Sequence, residues 1–501
     1  MWRLVIEPMT TIQFDNSYAR LPDRFHSRRQ PTPVANPGPV RVNHALARLL
    51  GIDPHWLESR EGTAVLAGNA IVPGSEPIAT VYAGHQFGSY NPQLGDGRAI
   101  LLGEVIGSDG IRYDIQLKGA GPTPYSRGGD GRAPLAAVLR EYIVSEAMHA
   151  LGLPTTRALA AVTTGEQVVR ESFLPGAVLA RVAQSHIRIG TFQFFAARND
   201  TEGLQLLLAH VLARHYPLAL REDNHALALL QQVVSAQASL VARWQLLGFI
   251  HGVMNTDNML LSGETIDYGP CAFMDNFQQD KVFSSIDRGG RYAYHNQPGI
   301  AHWNLAALAQ ALLPVLHEDQ EQAVALAQTA VDAFPQQFQQ HYRLGLARKL
   351  GLQTLRDNDQ ALVDDLFQLM AEHQLDFTLT FRRLADLAGP DEANAVDTVR
   401  DLFEIPDALL PWLAQWHKRV ALESTSARDR KAGMYAVNPV FIPRNHLVEE
   451  ALQAATEQND FAAFNTLVDV LARPFTYDIA LARFATSPRP EQEVRQTFCG
   501  T

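Results

Sequence analysis

The chain has 501 residues, of which 46% are hydrophobic and 19% are charged, with a formal net charge of -11. This composition excludes a disordered chain and suits a globular protein of about three domain-sized units. The acidic balance disfavours a broad nucleic-acid surface, and no uninterrupted apolar run reaches the ~20 residues of a membrane span. The first eight residues lack the pattern of a signal peptide. We therefore expect a cytoplasmic enzyme with neither a nucleic-acid nor a membrane partner.

The first third of the chain predicts a short helix, a glycine-rich region of strands and a second helix. Prolines oppose helix formation in the N-terminal arm: Pro31, Pro33, Pro37 and Pro39. Asn43 and Gly51 then have the residue types that cap the two ends of a helix. Apolar runs separated by glycine predict strands at 99–105 and 113–117. Pro134 favours the start of a further helix, which Gly152 ends.

The remainder of the chain is predominantly helical in its apolar periodicity. The predicted helices cover 224–249, 303–316, 320–350, 358–373 and 445–457. We predict an α+β fold with four parts, namely an N-terminal extension at 1–75, a β-rich unit at 76–175, a helical unit at 176–420 and a C-terminal extension at 421–501. A cleft between the β-rich and helical units is a natural ligand site.

A polar loop follows the long helix predicted at 224–249. It runs from His251 to Asn258, continues through a predicted hairpin with its turn at Ser262 and Gly263, and ends in the sequence Asp-Tyr-Gly at 267–269. Protein kinases have the same order of a catalytic loop ending in Asn and an Asp-Phe-Gly motif that binds Mg²⁺. The Asn258 amide oxygen and the Asp267 carboxylate are hard ligands suited to that ion. Taken alone, each of these short motifs is more often a simple turn.

Further residues with kinase-like spacing lie upstream. Gly95 and Gly97, followed by Arg98, lie between strand-like runs, where the backbone can approach a nucleotide closely. Lys118 ends the predicted strand 113–117, and Glu141 lies in the next helix, where kinases place the glutamate that pairs with the phosphate-binding lysine. This order predicts a protein-kinase-like bilobal fold, with a β-rich N-lobe and a larger helical C-lobe.

One position departs from the kinase pattern. The catalytic aspartate of a kinase loop would fall at Val253, which cannot accept a proton. Asp257, directly before Asn258, is the nearest carboxylate that could replace it. His251 is interpreted as a structural residue of the loop.

Four long motifs resemble the selenoprotein O (SelO, also YdiU) family: YAGHQFGSYNPQLGDGR at 82–98, QLKGAG at 116–121, HGVMNTDNMLLSGETIDYG at 251–269 and YAVNPVFIPRN at 435–445. The similarity covers nearly the whole chain. It implies a kinase-like fold that binds ATP flipped relative to kinases and transfers AMP to Ser, Thr or Tyr hydroxyls of proteins, with pyrophosphate released. The sequence leaves open whether the protein also modifies itself.

The resemblance also assigns site residues. It implies a nucleotide site formed by Gly95, Gly97, Arg98, Lys118, Asp130, Gly131, Arg181 and Arg188. It makes Asp257 the general base, and Asn258 and Asp267 the ligands of Mg²⁺, with Mn²⁺ as the alternative metal. Lys118 and Glu141 are expected to support catalysis as a pair. On the sequence pattern alone, Arg181 and Arg188 would be interpreted as surface residues.

The two cysteines, Cys271 and Cys499, are too few for a disulfide-built scaffold or a zinc site of several thiolates. Cys499 lies where eukaryotic members of the resembled family carry selenocysteine. One hypothesis pairs it with Cys271, so that oxidation would restrict the segment after Gly269. The alternative is a small buried residue and a tail thiol.

Three other functions remain as alternatives. The first is protein UMP transfer from UTP with manganese, the second is conventional phosphorylation, which Val253 disfavours, and the third is an inactive ATP-binding pseudokinase scaffold. The combination of Lys118, Asp257, Asn258 and Asp267 favours an enzyme over a scaffold. A Walker ATPase, a zinc hydrolase and a serine hydrolase are disfavoured because the motifs G-x-x-x-x-G-K-[ST], H-E-x-x-H and G-x-S-x-G do not occur.

Overall fold

The computed structural model describes residues 12–388 and 398–498. The signal-peptide prediction concerns residues 1–8, and both those residues and Cys499 lie outside the described ranges. The strands are β1 His26–Arg28, β2 Gly38–Val42, β3 Ile78–Thr80, β4 Gly84–Gln86, β5 Ser89–Asn91, β6 Ala99–Ile106, β7 Arg112–Lys118, β8 Ala133–Pro134, β9 Arg157–Val169, β10 Phe173–Ala183, β11 Phe249–Ile250 and β12 Ala272–Phe273. The helices are α1 His44–Leu49, α2 Pro54–Glu58, α3 Arg60–Leu66, α4 Leu135–Ala150, α5 Ile189–Ala196, α6 Thr201–His215, α7 His225–Leu247, α8 Gln297–Leu316, α9 Gln320–Asp332, α10 Phe334–Lys349, α11 Gln360–Glu372, α12 Phe377–Leu387, α13 Leu410–Val420, α14 Ala427–Tyr435, α15 Asn445–Gln458 and α16 Ala462–Leu471.

The mixed α and β composition predicted from the sequence is confirmed. One antiparallel sheet dominates the first part of the chain, with the strand order β1-β3-β6-β7-β10-β9-β2 and β8 paired to β10. The predicted strands at 99–105 and 113–117 are β6 and β7. The helix predicted after Asn43 is α1, and the Asn43 side chain accepts a hydrogen bond from the Leu46 backbone N–H at 3.1 Å. Helices α4 and α7 also occupy their predicted places.

Several details differ from the sequence predictions. Strands β9 and β10 are absent from the predictions because β10 is buried along most of its length and lacks the alternation of a half-buried strand. The helix predicted at 320–350 is divided at Ala333, since Pro335 lies in the first turn of α10 and has no N–H to continue α9. The predicted hairpin between Asn258 and Asp267 is reduced to a single bridge between Met259 and Thr265. Strand β10 also crosses the predicted domain boundary at 175/176, and the division into four parts stays a prediction.

The two faces of the sheet bury different helices. On one face, α1 to α3 form a cluster with the sheet that includes Leu46 and Leu117. On the other face, α4 packs against the sheet and contacts α15 and α16, through a cluster that includes Leu139, Val448 and Phe464. The C-terminal helices therefore cover α4, which carries Glu141 towards the cleft.

One helical stretch within the described residues, Tyr294–Leu316, is long and apolar enough to cross a membrane by length and composition alone. It consists mainly of α8, which packs against α5, α7 and α9. Leu305, Leu308 and Leu312 are fully buried there in the largest hydrophobic cluster. Core helices of globular proteins share this composition, and the packing identifies α8 as one of them.

A buried arginine connects the C-terminal motif 435–445 to the segment that follows Asp267. Arg444 is completely buried, and its Nη1 lies 2.5 Å from Asp275 Oδ1 and 2.8 Å from Asp376 Oδ2. Burial of charged groups is costly unless they are paired, so this arginine offsets two carboxylates at once.

We expect Arg444→Met to lower the free energy of unfolding by about 3 kcal/mol, because it leaves Asp275 and Asp376 buried without their cation. Urea denaturation measures the change. The matched control is Arg483→Met, which removes an exposed ion pair with Glu450 and is expected to cost less than about 1 kcal/mol. Equal effects of the two substitutions would contradict the prediction.

Candidate active site

Charged side chains from five elements meet in the cleft between the sheet and the helical part: Lys118, Glu141, Arg181, Arg188 and Asp267. Lys118 Nζ lies 2.5 Å from Glu141 Oε2 and 3.1 Å from Asp267 Oδ1. Arg181 Nη1 lies 3.0 Å from Glu141 Oε1 and 2.7 Å from Asp267 Oδ1. Arg188 Nη1 donates to Asp267 Oδ2 at 2.9 Å. The three cations therefore surround one carboxylate.

Each of these charged residues lies on a different structural element. Lys118 ends β7, and Arg181 lies opposite Gln116 on the neighbouring β10. Gln116 Oε1 accepts from Arg181 Nη2 at 2.7 Å and so orients the guanidinium. Arg188 precedes the first turn of α5. Asp267 has a φ of 62°, the left-handed region that few non-glycine residues adopt.

The electrostatics of this cluster favour an anionic ligand. Burial opposes ionisation of Asp267, but the charges of Lys118, Arg181 and Arg188 outweigh it and hold the pKa of that carboxyl well below its usual range. Burial likewise opposes ionisation of Glu141, and its cationic neighbours again lower its pKa. Over the whole cavity lining, seven Lys and Arg side chains face five Asp and Glu side chains, so positive charge is in excess. A phosphate chain would supply the missing negative charge.

Glycines allow two backbone loops to meet above the cluster. Gly95 has a φ of 83°, and a Cβ there would lie 2.5 Å from Cγ of Tyr125. A Cβ on Gly97 would lie 2.9 Å from the Tyr125 carbonyl oxygen, and one on Gly131 would overlap the backbone of Gly121. The loop at 95–98 therefore packs closely against the loop at 121–131, with backbone contact at Gly97, and the ends of the second loop also meet. Such close packing lets main-chain groups approach a nucleotide.

The predicted base, Asp257, lies in a short 3₁₀ turn beside the cluster. It is buried, and its Oδ1 has no hydrogen-bond partner among the described residues. Burial raises the pKa of this carboxyl to about 6, although the nearby Arg188 guanidinium partly opposes the rise. Arg188 Nη1 also donates to the Asp257 carbonyl oxygen at 2.6 Å. One guanidinium thus connects the predicted base to the predicted metal ligand.

The two predicted metal ligands line the same cavity. Asn258 donates from Nδ2 to the Val253 carbonyl oxygen at 2.9 Å, which leaves its Oδ1 as an acceptor. Among the described residues, no group of three or more His, Cys, Asp or Glu side chains could hold a metal ion by itself. Two oxygen ligands suit Mg²⁺, which is usually completed by water and substrate phosphates. The residues present therefore fit a divalent cation that binds together with a nucleotide.

The segment between Asn258 and Asp267 contains a buried carboxyl, Glu264. Its Oε2 accepts from the Gln184 backbone N–H at 3.0 Å and from Ser262 Oγ at 2.8 Å. Burial raises the pKa of Glu264 to about 7, with a smaller contribution from Asp114 in the same direction. This carboxyl joins the segment that carries Asp267 to the end of β10.

All twelve residues predicted for the site line a single cavity of 850 Å³: Gly95, Gly97, Arg98, Lys118, Asp130, Gly131, Glu141, Arg181, Arg188, Asp257, Asn258 and Asp267. Val253, the sequence position predicted for a kinase catalytic carboxylate, lines it as well. Asp130 lies at the rim and pairs with Arg170 at 2.9 Å. His251 is buried behind the cavity, with its Nε2 2.9 Å from the Ile266 carbonyl oxygen, in agreement with a structural role.

Sequence reasoning missed several residues that line the cavity. Asp96 is buried and accepts from Thr80 Oγ1 at 2.6 Å, and its Oδ1 lies 3.8 Å from Arg188 Nη2. The Tyr82 ring lies 4.5 Å from the Arg188 guanidinium. Gln86 donates to the carboxylate of Asp257. All three belong to the motif at 82–98. The motif therefore predicted which segment forms the site, but not the contacts that these three side chains make.

The segment after Asp267 is bound from two sides. Arg140, which precedes Glu141 on α4, donates to the carbonyl oxygens of Gly269 at 3.2 Å and Cys271 at 2.7 Å. From the C-terminal tail, Thr497 Oγ1 donates to the Pro270 carbonyl oxygen at 2.5 Å. The tail therefore reaches the neighbourhood of the buried Cys271. Because Cys499 lies outside the described residues, its disulfide with Cys271 stays a prediction.

The sequence profile of a family described as "Protein adenylyltransferase SelO" matches residues 8–472. The chain is 60% identical over 492 residues to a protein nucleotidyltransferase YdiU of Methylorubrum extorquens, covering 97% of this chain and 99% of that one. It is 59% identical over 488 residues to the protein of the same name from Bradyrhizobium diazoefficiens, and 58% identical over 488 residues to that from Rhodopseudomonas palustris. In both cases the alignment again covers 97% of this chain and 99% of the relative.

We expect Glu264→Gln to stabilise the protein at pH 8 more than at pH 5. Because the pKa of the Glu264 carboxyl is raised in the folded protein, this group binds more protons in the folded than in the unfolded state between about pH 4.3 and 7. Its contribution to the free energy of unfolding therefore falls as the pH rises through that range. Glutamine keeps the acceptor oxygen and removes the charge. Thermal denaturation at the two pH values measures the difference, with Glu450→Gln on the surface as the control. An equal change in Tm at both pH values would refute this expectation.

Proposed function

Because the chain belongs to the SelO family of protein adenylyltransferases, we propose that it transfers AMP from ATP to Ser, Thr or Tyr hydroxyls of proteins and releases pyrophosphate. The chain is an enzyme of the nucleotidyltransferase class. The proposed acceptors are hydroxyl side chains of other proteins and of the protein itself. It also includes a cytoplasmic location, where ATP is the available co-substrate.

One observation carries the proposal. The carboxylate of Asp257 lies in the same cavity as the cations that surround Asp267, and Val253, which stands at the sequence position predicted for the kinase base, lines that cavity too. A carboxylate next to an anion-binding cluster can receive a proton from a hydroxyl that attacks a bound phosphate. These groups support a nucleotidyl transfer in which Asp257 acts as the base in place of the kinase aspartate.

We propose that the fold is kinase-like in its arrangement of these groups. Lys118 at the end of a strand, Glu141 on the following helix, and Asn258 before Asp267 occur in the order that kinases use. The nucleotide is proposed to bind flipped, with its phosphates among Lys118, Arg181 and Arg188 and close to the loops at 95–98 and 121–131. This orientation would expose the α-phosphorus to the acceptor.

The reaction would proceed by in-line displacement. The acceptor oxygen forms a bond to the α-phosphorus as its proton passes to Asp257, and the bond from that phosphorus to the bridging oxygen of pyrophosphate breaks. The cations of the cluster offset the charge that develops on the phosphate oxygens. The cavity holds the two reactants in position, which removes much of the entropic barrier.

A divalent cation, Mg²⁺ or Mn²⁺, would be held by Asn258 and Asp267 together with phosphate oxygens. When bound, it supplies charge neutralisation and polarises the phosphate. Asn258 is oriented for this role by the hydrogen bond to Val253, and Asp267 by its two guanidinium partners.

The proposal is tested with purified protein, an acceptor protein, Mg²⁺ and ATP labelled at the α- or the γ-phosphate. We expect label on protein from α-labelled ATP only, and its loss in Asp267→Ala, which removes a predicted metal ligand. A parallel reaction with labelled UTP and Mn²⁺ compares the rate of UMP transfer with that of AMP transfer. Label from γ-labelled ATP only would establish phosphorylation instead. ATP binding without transfer from either label would favour the scaffold.

We expect Asp257→Asn to lower kcat for AMP transfer by about 10²-fold or more, because asparagine keeps the shape of the base but cannot accept the proton. ATP affinity should stay unchanged, since the phosphate-binding cations are intact. Steady-state rates and calorimetric titration with ATP measure the two quantities. Asp109→Asn, at a surface turn, is the matched control. A wild-type kcat in Asp257→Asn would exclude this residue as the base.

A further inference from the structure

The hairpin formed by β4 and β5, residues 84–91, belongs to the most extended motif of the sequence, yet the proposed reaction assigns it no role. It forms a small two-stranded sheet separate from the main one, with a turn at Phe87 and Gly88. Its consecutive residues 85 to 87 each bind one residue of the loop that carries Asp257. The hairpin is therefore in direct contact with the predicted base and with both residues that precede it.

The contacts alternate between backbone and side chain. The His85 backbone N–H donates to Thr256 Oγ1 at 2.7 Å, and the Phe87 backbone N–H donates to Asn255 Oδ1 at 3.1 Å. Between them, Gln86 Nε2 donates to Asp257 Oδ2 at 3.2 Å. The backbone of the hairpin is thus held to the loop on both sides of Gln86, which fixes where its amide points.

A second set of contacts, from α5 and from the segment after Asp267, supports this arrangement. Gln193 on α5 accepts from Thr256 Oγ1 at 2.7 Å, and its Nε2 lies 2.8 Å from His85 Nδ1. Tyr292 Oη donates to Asn255 Oδ1 at 2.6 Å. Helix α5 and the segment after Asp267 therefore support two of these three loop residues, Thr256 and Asn255. Such surrounding contacts are what keep a reacting side chain in one rotamer.

The two carboxylate oxygens of Asp257 have different surroundings. Oδ1 is buried, without a hydrogen-bond partner among residues 12–388 and 398–498, and a Cβ on Gly84 would lie only 2.6 Å from it. Oδ2 receives the Gln86 amide, and Gln86 is half-buried in the wall of the cavity. A carboxylate oxygen has two lone pairs, so Oδ2 can accept from Gln86 and from one further donor.

We propose that Gln86 is a positioning residue that holds Asp257 with Oδ2 as the proton-accepting atom for the acceptor hydroxyl. This inference rests on the proposed function, because it assigns the geometry of the proposed base. Because Gly84 has no side chain, it leaves room for Oδ1 in the protein interior. The Gln86 amide directs Oδ2 towards the cavity. The acceptor hydroxyl then approaches beside the 84–91 hairpin.

The test compares kcat and KM for AMP transfer in the wild type and in Gln86→Met, which keeps the length of the side chain and removes the donor. We expect kcat to fall about tenfold or more, as for loss of a hydrogen bond to a charged group, with KM for ATP unchanged. Gln93→Met, an exposed glutamine just after the hairpin, is the matched control and should retain the wild-type kcat.

A double-substitution cycle separates positioning from general support of the fold. If Gln86 acts through Asp257, then Gln86→Met should cause no further loss of kcat in the Asp257→Asn background. A further loss of the same size there would overturn the positioning role and indicate a structural one, as would a fall in ATP affinity or Tm that accounts for the lost rate. A wild-type kcat in Gln86→Met would overturn it directly. If the wild type itself transfers no AMP, the proposed function fails first and takes this inference with it.

Discussion

The binding of the Asp267 carboxylate by three cations is the interaction on which the rest of the site depends. Arg181 and Arg188 are almost completely buried, and buried charges of one sign are tolerated only with partners of the other. The sheet brings Lys118 and Arg181 to this carboxylate, and the start of α5 brings Arg188. Because Glu141 contacts Lys118 and Arg181 as well, α4 must also lie close. One set of charges thus constrains the relative position of the sheet, α4, α5 and the Asp-Tyr-Gly segment, in addition to the hydrophobic packing of α4 on the sheet.

The loop that carries Asp257 is held in its conformation by contacts with neighbouring elements. It has little regular secondary structure of its own, and its contacts come from the 84–91 hairpin, α5 and the segment after Asp267. Close approach is achieved with glycine, since a Cβ on Gly84 would meet Asp257 and one on Gly190 would lie 2.0 Å from the Ala83 carbonyl oxygen. Rigidity of the loop is therefore a property of packing between elements distant in sequence.

The sequence predicted those parts of the molecule that depend on local order. Strands β6 and β7, helices α1, α4 and α7, and the succession of Lys118, Glu141, Asn258 and Asp267 all have short-range signatures. Strand β10 and the first half of β9 were missed because burial on both faces removes the alternation that identifies a strand. The approach of Arg181 and Arg188 was evident only from the family resemblance, because a guanidinium on a strand or before a helix has no local pattern. The contact between Gln86 and Asp257 joins residues 171 positions apart and has no signature in either segment.

The adjacency of Arg140 and Glu141 on α4 makes the two halves of the site mechanically inseparable. Arg140 binds the carbonyl oxygens that follow Asp267 together with Asn445 and Glu449 of α15, while Glu141 binds Lys118 and Arg181. A displacement of α4 would break both sets of contacts in one movement. The helix consequently couples the C-terminal helices to the charges around Asp267, so that a disturbance of the former would reach the latter.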